Sequence, residues 1–220
     1  MLDKYKLIGA SYDTLSKLYS GNTIHQCKTA MLREDTISSG SNVLFAGAGQ
    51  GQDAIRAAEL GADVTVIDIS PTMLNKFKQR LENHPRAAEL TITQIQGDIL
   101  KHAALSSYDI VVANFFLNVF DRKKMQVLLS HLVKTCRPGG AMIIGDFCPI
   151  QGSLLNKSIQ NIYWYAAASA FFAIAGNDIH CIYDYRPLLE AEGFSLVEER
   201  RFTFLRRELY SAIRASKPVH

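Results

Sequence analysis

The sequence predicts an α/β chain built on a doubly wound, mostly parallel, seven-stranded sheet with an antiparallel C-terminal strand. Three observations carry this reading. From residue 43 onward, short apolar runs alternate with amphipathic stretches of helix length, which implies right-handed βαβ crossovers. A glycine-rich turn joins the first apolar run to the first amphipathic stretch. Two extended runs split by a short turn close the chain as a hairpin.

The elements follow in order. Val43-Leu44-Phe45-Ala46 is the first strand, and Asp53 to Leu60 is a helix stopped by Gly61. Val64 to Ile69 is β-branched and apolar on both faces, as suits a strand covered by helices on both sides. Ser70 caps the next helix with Pro71 at its first position, and Met73, Leu74, Phe77 and Leu81 share one face of it. Thr91 to Ile95 and Ile110 to Ala113 are strands three and four. Asp121 caps a helix whose apolar face is Met125, Leu128, Leu129, Leu132 and Val133. Pro138-Gly139-Gly140 ends that unit, and Ala141 to Ile144 is strand five, with Asp146 just after it. A last helix spans Tyr185 to Glu192, and Phe194 to Phe202 and Glu208 to Ala215 form the hairpin.

Two segments stand outside this alternation. Residues 1–40 form a helical N-terminal lid carrying Tyr5, Tyr12 and Tyr19 at seven-residue spacing. Residues 149–180 form a helical insertion with the aromatic run Ile162-Tyr163-Trp164-Tyr165. Both are placed to cap the strand ends where ligands sit in open α/β sheets. The chain then divides into lid (1–40), core (41–148), insertion (149–180) and C-terminal helix with hairpin (181–220), all within one domain.

Composition narrows the function classes. In 220 residues, 48% are hydrophobic and 20% charged, ordinary for a chain with a real core and against disorder or coiled coil. Net charge is +3, and the basic residues are scattered apart from Arg122-Lys123-Lys124 and Arg206-Arg207, so no nucleic-acid stripe is evident. Cys27, Cys136, Cys148 and Cys181 form no CxxC, which speaks against a metal site and for reduced thiols in a cytoplasmic protein. The start lacks the apolar stretch of a signal peptide. Ile162 to Ala175 is fourteen residues long, against about 20 for a membrane span.

The sharpest local signal is Gly47-Ala48-Gly49-Gln50-Gly51 between strand and helix. Such a turn lets a ligand approach the backbone, and the N–H groups at the helix start attract an anion. Asp68 ends the second strand, 17 residues after Gly51, where a carboxylate accepts both hydroxyls of a ribose. Asp98, after the third strand, is placed to accept an adenine amino group. A nicotinamide dinucleotide also uses a glycine turn and an acid. However, no Tyr here has Lys four positions on, and no separate substrate domain follows. A single-nucleoside cofactor with an amino-acid tail explains these positions better.

With VLFAGAGQG (43–51), VTVIDISPTML (64–74), QGD (96–98), YDIVVANFF (108–116) and RPGGAMI (137–143), the chain resembles the class I S-adenosylmethionine-dependent methyltransferases. It is most similar to the small-molecule branch with the ubiquinone/menaquinone methyltransferases, through YDTLSKLYSGN (12–22) and YRPLLEAEGF (185–194). Gly49-Gln50-Gly51-Gln52-Asp53 is also similar to thiol and thiopurine methyltransferases. The resemblance implies a Rossmann-like fold and S-adenosyl-L-methionine as cofactor. It implies that Gly47, Ala48, Gly49 and Gly51 pack under the methionine and ribose, and that Asp68 binds the ribose diol. Ile69 and Met73 would contact the adenine, with Asp98 on its amino group and Ile99 beside it. Asn114 and Phe115 would face the methionine portion, and Tyr12 and Tyr19 would close from the lid.

One departure stands out: Phe45 occupies the place where the family usually has an acid that helps hold the cofactor's amino group. A non-catalytic cofactor-binding protein therefore stays open beside the active enzyme and the nicotinamide oxidoreductase. Methyl transfer needs a base only if the acceptor must lose a proton, and His25, His180 and Asp146 are the candidates. The expected acceptor is a small aromatic or lipophilic molecule, with a peripheral membrane contact and an oligomer left open.

Overall fold

The computed structural model describes residues 20–150, 152, 154–176 and 178–219. Seven strands form one sheet in the order β3-β2-β1-β4-β5-β7-β6. They are β1 (Asn42–Ala46), β2 (Asp63–Asp68), β3 (Ile92–Gln96), β4 (Tyr108–Val112), β5 (Cys136–Phe147), β6 (Ser195–Phe204) and β7 (Arg207–Ser216). Pairings among β1 to β5 are parallel, whereas β7 runs antiparallel to both β5 and β6. The described helices are α1 (Thr23–Thr29), α2 (Gln52–Glu59), α3 (Pro71–Glu82), α4 (Arg122–Thr135), α5 (Leu154–Ala175) and α6 (Tyr185–Ala191).

Strand periodicity splits β1 between two cores. Val43 and Phe45 join Met31, Leu32, Phe77, Phe147 and Tyr210 on one face. Leu44 and Ala46 join Val111, Leu128, Leu132, Tyr185 and Leu189 on the other. Apolar burial on both faces is what the uninterrupted β-branched and aliphatic runs require. Helix starts follow their caps. Ser70 Oγ accepts from Met73 N–H at 3.2 Å with Pro71 at the first position, and Asp121 accepts from Lys124 N–H at 2.9 Å. Each such cap contributes about 1 kcal/mol.

Two elements are longer than the sequence suggests. β5 begins at Cys136, so Pro138-Gly139-Gly140 is an excursion inside the strand and not its boundary. The pairing jumps from Tyr108↔Cys136 to Ile110↔Ala141, and residues 137–140 bulge out between these points. The strand also runs past Ile144, so Asp146 lies within it. α5 starts at Leu154 and not near Ile162. Leu154, Ile162, Tyr165 and Phe172 form an exposed apolar stripe along it, whereas Trp164 is buried.

Residues 20–40 pack into the first core. Cys27, Met31, Leu32 and Ile37 are each 2% exposed or less. Arg33 donates to both carboxylate oxygens of Glu198 on β6, at 3.0 and 2.8 Å, and ties this segment to the hairpin. Tyr5, Tyr12 and Tyr19 lie outside the described residues.

Candidate cofactor crevice

Sequential strands leave β1 in opposite directions, to β2 and β3 on one side and to β4 and β5 on the other. The loops at the carboxyl ends of β1 and β4 therefore diverge, which is where open α/β sheets bind ligands. The glycine turn follows β1, Asp68 ends β2, Asp98 follows β3, and Asn114 and Phe115 follow β4. The fold brings these predicted residues to one edge of the sheet.

Asp68 is held in place by the turn it faces. Its Oδ2 accepts from Ala48 N–H at 2.7 Å, and its Oδ1 accepts from Ser70 N–H at 2.8 Å. These two bonds orient the carboxylate against the turn. Asp98 caps a short 3-10 turn, accepting from Leu100 N–H at 3.0 Å. Ile69 is 46% exposed beside Asp68, whereas Met73 and Ile99 are buried.

The glycines have internal reasons as well. Gly51 has φ +75°, and a Cβ there would lie 2.0 Å from Cδ2 of the fully buried Phe77. At Gly47, a Cβ would meet the Phe116 ring at 3.0 Å. Close packing of the turn against Phe77 of α3 thus accounts for Gly51 without any ligand.

Asn114 is the joint of the crevice. Its Nδ2 donates to Lys28 O and to Asp53 Oδ2, both at 3.0 Å, and its Oδ1 accepts from Gly145 N–H at 2.9 Å. Phe115 takes a left-handed conformation, φ +50°, rare for an aromatic residue. Its ring packs edge-on to Phe147 at 5.9 Å and against Tyr210 at 5.8 Å. Phe147 in turn meets Trp164 of α5 at 4.6 Å, and Tyr163 and Tyr210 share a hydrogen bond of 2.8 Å. An aromatic wall thus links strand ends β4, β5 and β7 to α5.

The three candidate bases differ in surroundings. His25 is exposed on α1. Both ring nitrogens of His180 face carbonyl oxygens, of Cys181 at 2.7 Å and Asn118 at 2.8 Å, and the ring stacks on Tyr183. Asp146 is 3% exposed and accepts from Tyr185 O–H and Phe147 N–H, both at 2.7 Å. Burial pushes its carboxyl from the usual 3.8 up to about 7, against the hydrogen bonds that favour the anion. Burial first, and Asp146 second, also push the nearby Cys27 thiol up.

A carboxyl raised in the folded state binds a proton that the unfolded chain has lost. Its stabilising contribution is therefore complete below 3.8 and disappears as pH rises through about 7. Asp146→Asn should flatten the stability profile across that window. Urea unfolding at successive pH values checks this, and a slope equal to that of the parent chain contradicts it.

Residues 44–142 match the family model described as a methyltransferase domain. The ubiquinone/menaquinone biosynthesis C-methyltransferase of Syntrophotalea carbinolica is 29% identical over 150 residues, covering 67% of this chain and 61% of that protein. Over its central region the chain is similar to S-adenosylmethionine-dependent methyltransferases. The corresponding C-methyltransferase of Bartonella bacilliformis is 24% identical over 213 residues, covering 89% of this chain and 81% of its own. Magnesium protoporphyrin IX methyltransferase from Synechocystis, solved with S-adenosylmethionine, shares the fold at TM-score 0.69 and 18% identity, over 99% of this chain and 98% of that one.

Phe45, at the place where the family that the chain resembles usually has an acid, is 3% exposed within the first core. Two charged residues that sequence reasoning left unassigned stand at the same crevice. Asp53, in the first turn of α2, is 6% exposed. Lys28, from α1, brings Nζ to 3.4 Å from the point where a Cβ on Gly49 would lie and 5.8 Å from the Phe115 ring centroid. Asp53 had a weak local signal, two residues after the last glycine of the turn. Lys28 had none, because its neighbours in the site are distant in sequence. Among the described residues no group of three or more His, Cys, Asp or Glu is arranged to hold a metal, and no helix is long and apolar enough to cross a membrane.

Proposed function

We propose that this chain transfers a methyl group from S-adenosylmethionine to a small aromatic or lipophilic acceptor. The observation that carries the reading is the arrangement of Asp68 and Asp98 at successive strand ends beside the glycine turn, with Asp68 bonded to the turn itself. Asp68 would hold the ribose hydroxyls, Asp98 the adenine amino group, and Ile69 and Met73 the sides of the base. The named activity of the quinone C-methyltransferases supports the acceptor class.

When bound, S-adenosylmethionine supplies a methyl already activated by its sulfonium, so a C–S bond breaks as the acceptor's bond to the methyl forms. The protein's work is then orientation, which is worth ~7–11 kcal/mol when the reacting atoms are held about 3 Å apart and in line. Phe115 and the aromatic wall behind it form a surface suited to a flat apolar acceptor. The exposed stripe of α5 suits contact with a lipophilic surface such as a membrane face. Asp146 accepts from Tyr185 and Phe147, and both nitrogens of His180 face carbonyls, which favours acceptors that need no protein base.

A second reading, a cofactor-binding protein without turnover, is favoured by Phe45 alone. Incubation with S-adenosylmethionine and a panel of quinols, phenols and thiols separates the two, with S-adenosylhomocysteine measured by mass spectrometry. Formation above background with any acceptor is the expected result. Binding without product across the panel would favour the second reading, and absence of binding would reject both.

A further inference from the structure

The amino-acid end of the cofactor is a zwitterion, and a site that grips it needs one charge of each sign. Phe45 offers neither and is sealed in the core. Resting on the cofactor reading above, we propose that Lys28 and Asp53 form this grip, Lys28 receiving the carboxylate and Asp53 the ammonium.

Asp53 is 6% exposed, and among the described residues its carboxylate accepts one hydrogen bond, from the neutral amide of Asn114 to Oδ2. A carboxylate so far removed from water is costly unless a cation or several donors face it. The start of α2 offers some compensation through its dipole, but no cation pairs with Asp53 among the described residues. Lys28 is in the converse position. Among the described residues its ammonium makes neither an ion pair nor a hydrogen bond, only a distant contact with the Phe115 ring.

Among the described residues the two side chains form no ion pair with each other. Asn114 connects them, donating from one amide nitrogen to the backbone of Lys28 and to the side chain of Asp53. It is fixed in turn by Gly145, where a Cβ would lie 2.8 Å from Asn114 Oδ1. Asn114 is therefore a positioning residue that ties the Lys28 backbone and the Asp53 carboxylate together beside the glycine turn. A separated pair next to a nucleoside-binding turn matches a ligand that brings both opposite charges.

The test compares two ligands on the full chain by titration calorimetry. S-Adenosylhomocysteine carries the amino-acid end, and 5′-methylthioadenosine carries the same nucleoside without it. Lys28→Met and Asp53→Asn should each weaken S-adenosylhomocysteine at least tenfold and leave 5′-methylthioadenosine within twofold. Unchanged S-adenosylhomocysteine affinity would overturn the proposal, as would an equal loss for both ligands, the mark of a structural role. Lys28 is only half-buried, so Lys28→Met decides the matter even if Asp53→Asn does not fold. Parent protein that binds both ligands equally well would overturn the grip and leave the nucleoside site standing. Parent protein that binds neither would remove the cofactor reading itself.

Discussion

Gly51→Ala should destabilise the chain by about 2–5 kcal/mol, combining ~1–2 kcal/mol for a left-handed non-glycine residue with ~1–3 kcal/mol for overpacking. The added methyl would lie 2.0, 2.4 and 2.5 Å from Cδ2, Cε2 and Cγ of Phe77, a ring with no solvent exposure. Phe77 fills the space where α3 meets the start of α2, so relief requires moving a helix. Urea unfolding of the variant against the parent measures the loss. A change under about 0.5 kcal/mol, the scale of an ordinary surface substitution, would show that the turn is not held against Phe77 as described. Gly49→Ala makes a useful contrast. Its Cβ would meet only the tip of the Lys28 side chain at 3.4 Å, so strain in the turn is the main cost there.

Asp68→Ala should abolish measurable cofactor binding, with a loss of at least 3 kcal/mol. Two effects add. Hydrogen bonds to a charged group are worth about 1.5–3 kcal/mol each, and two ribose hydroxyls would lose their acceptor. The same carboxylate also holds Ala48 N–H and Ser70 N–H, so its removal frees the glycine turn and the entry to α3 together. Asp68→Asn should rescue only part of this, because an amide nitrogen in place of one oxygen opposes a backbone N–H. Calorimetry with S-adenosylhomocysteine gives the affinities, and unfolding curves separate the loosened turn from the lost ligand bonds. Affinity equal to the parent in Asp68→Ala would place the ribose elsewhere.

Much of the architecture was legible because its signals are local. Runs such as Val64 to Ile69 can be buried only in a sheet covered on both sides. Ser70-Pro71 and Asp121 announce helix starts through bonds that span three residues, and both caps form. The two extended runs at the end pair antiparallel in one sheet with the rest. Where reading by period failed, a long-range effect overrode a local one. Pro138-Gly139-Gly140 has turn chemistry, yet strand pairing on either side carries β5 through it. The polar and aromatic first half of α5 does not show the uniform apolar character of its second half, yet the two form one helix within the expected insertion over residues 149–180.

The site divides in the same way. Sequence alone determined the layered α/β order, the turn at Gly47 to Gly51 and the acids at the ends of the second and third strands, since each is encoded by neighbours within a few residues. Only the tertiary structure decided that Asn114 meets both Lys28 and Asp53, 86 and 61 residues away, and that Asp146 is sealed against Tyr185. A lysine on a short helix reads in sequence as a solvated side chain. Whether its charge faces water or a ligand depends on which strands the sheet sets side by side, and periodicity along one chain segment carries no record of that order.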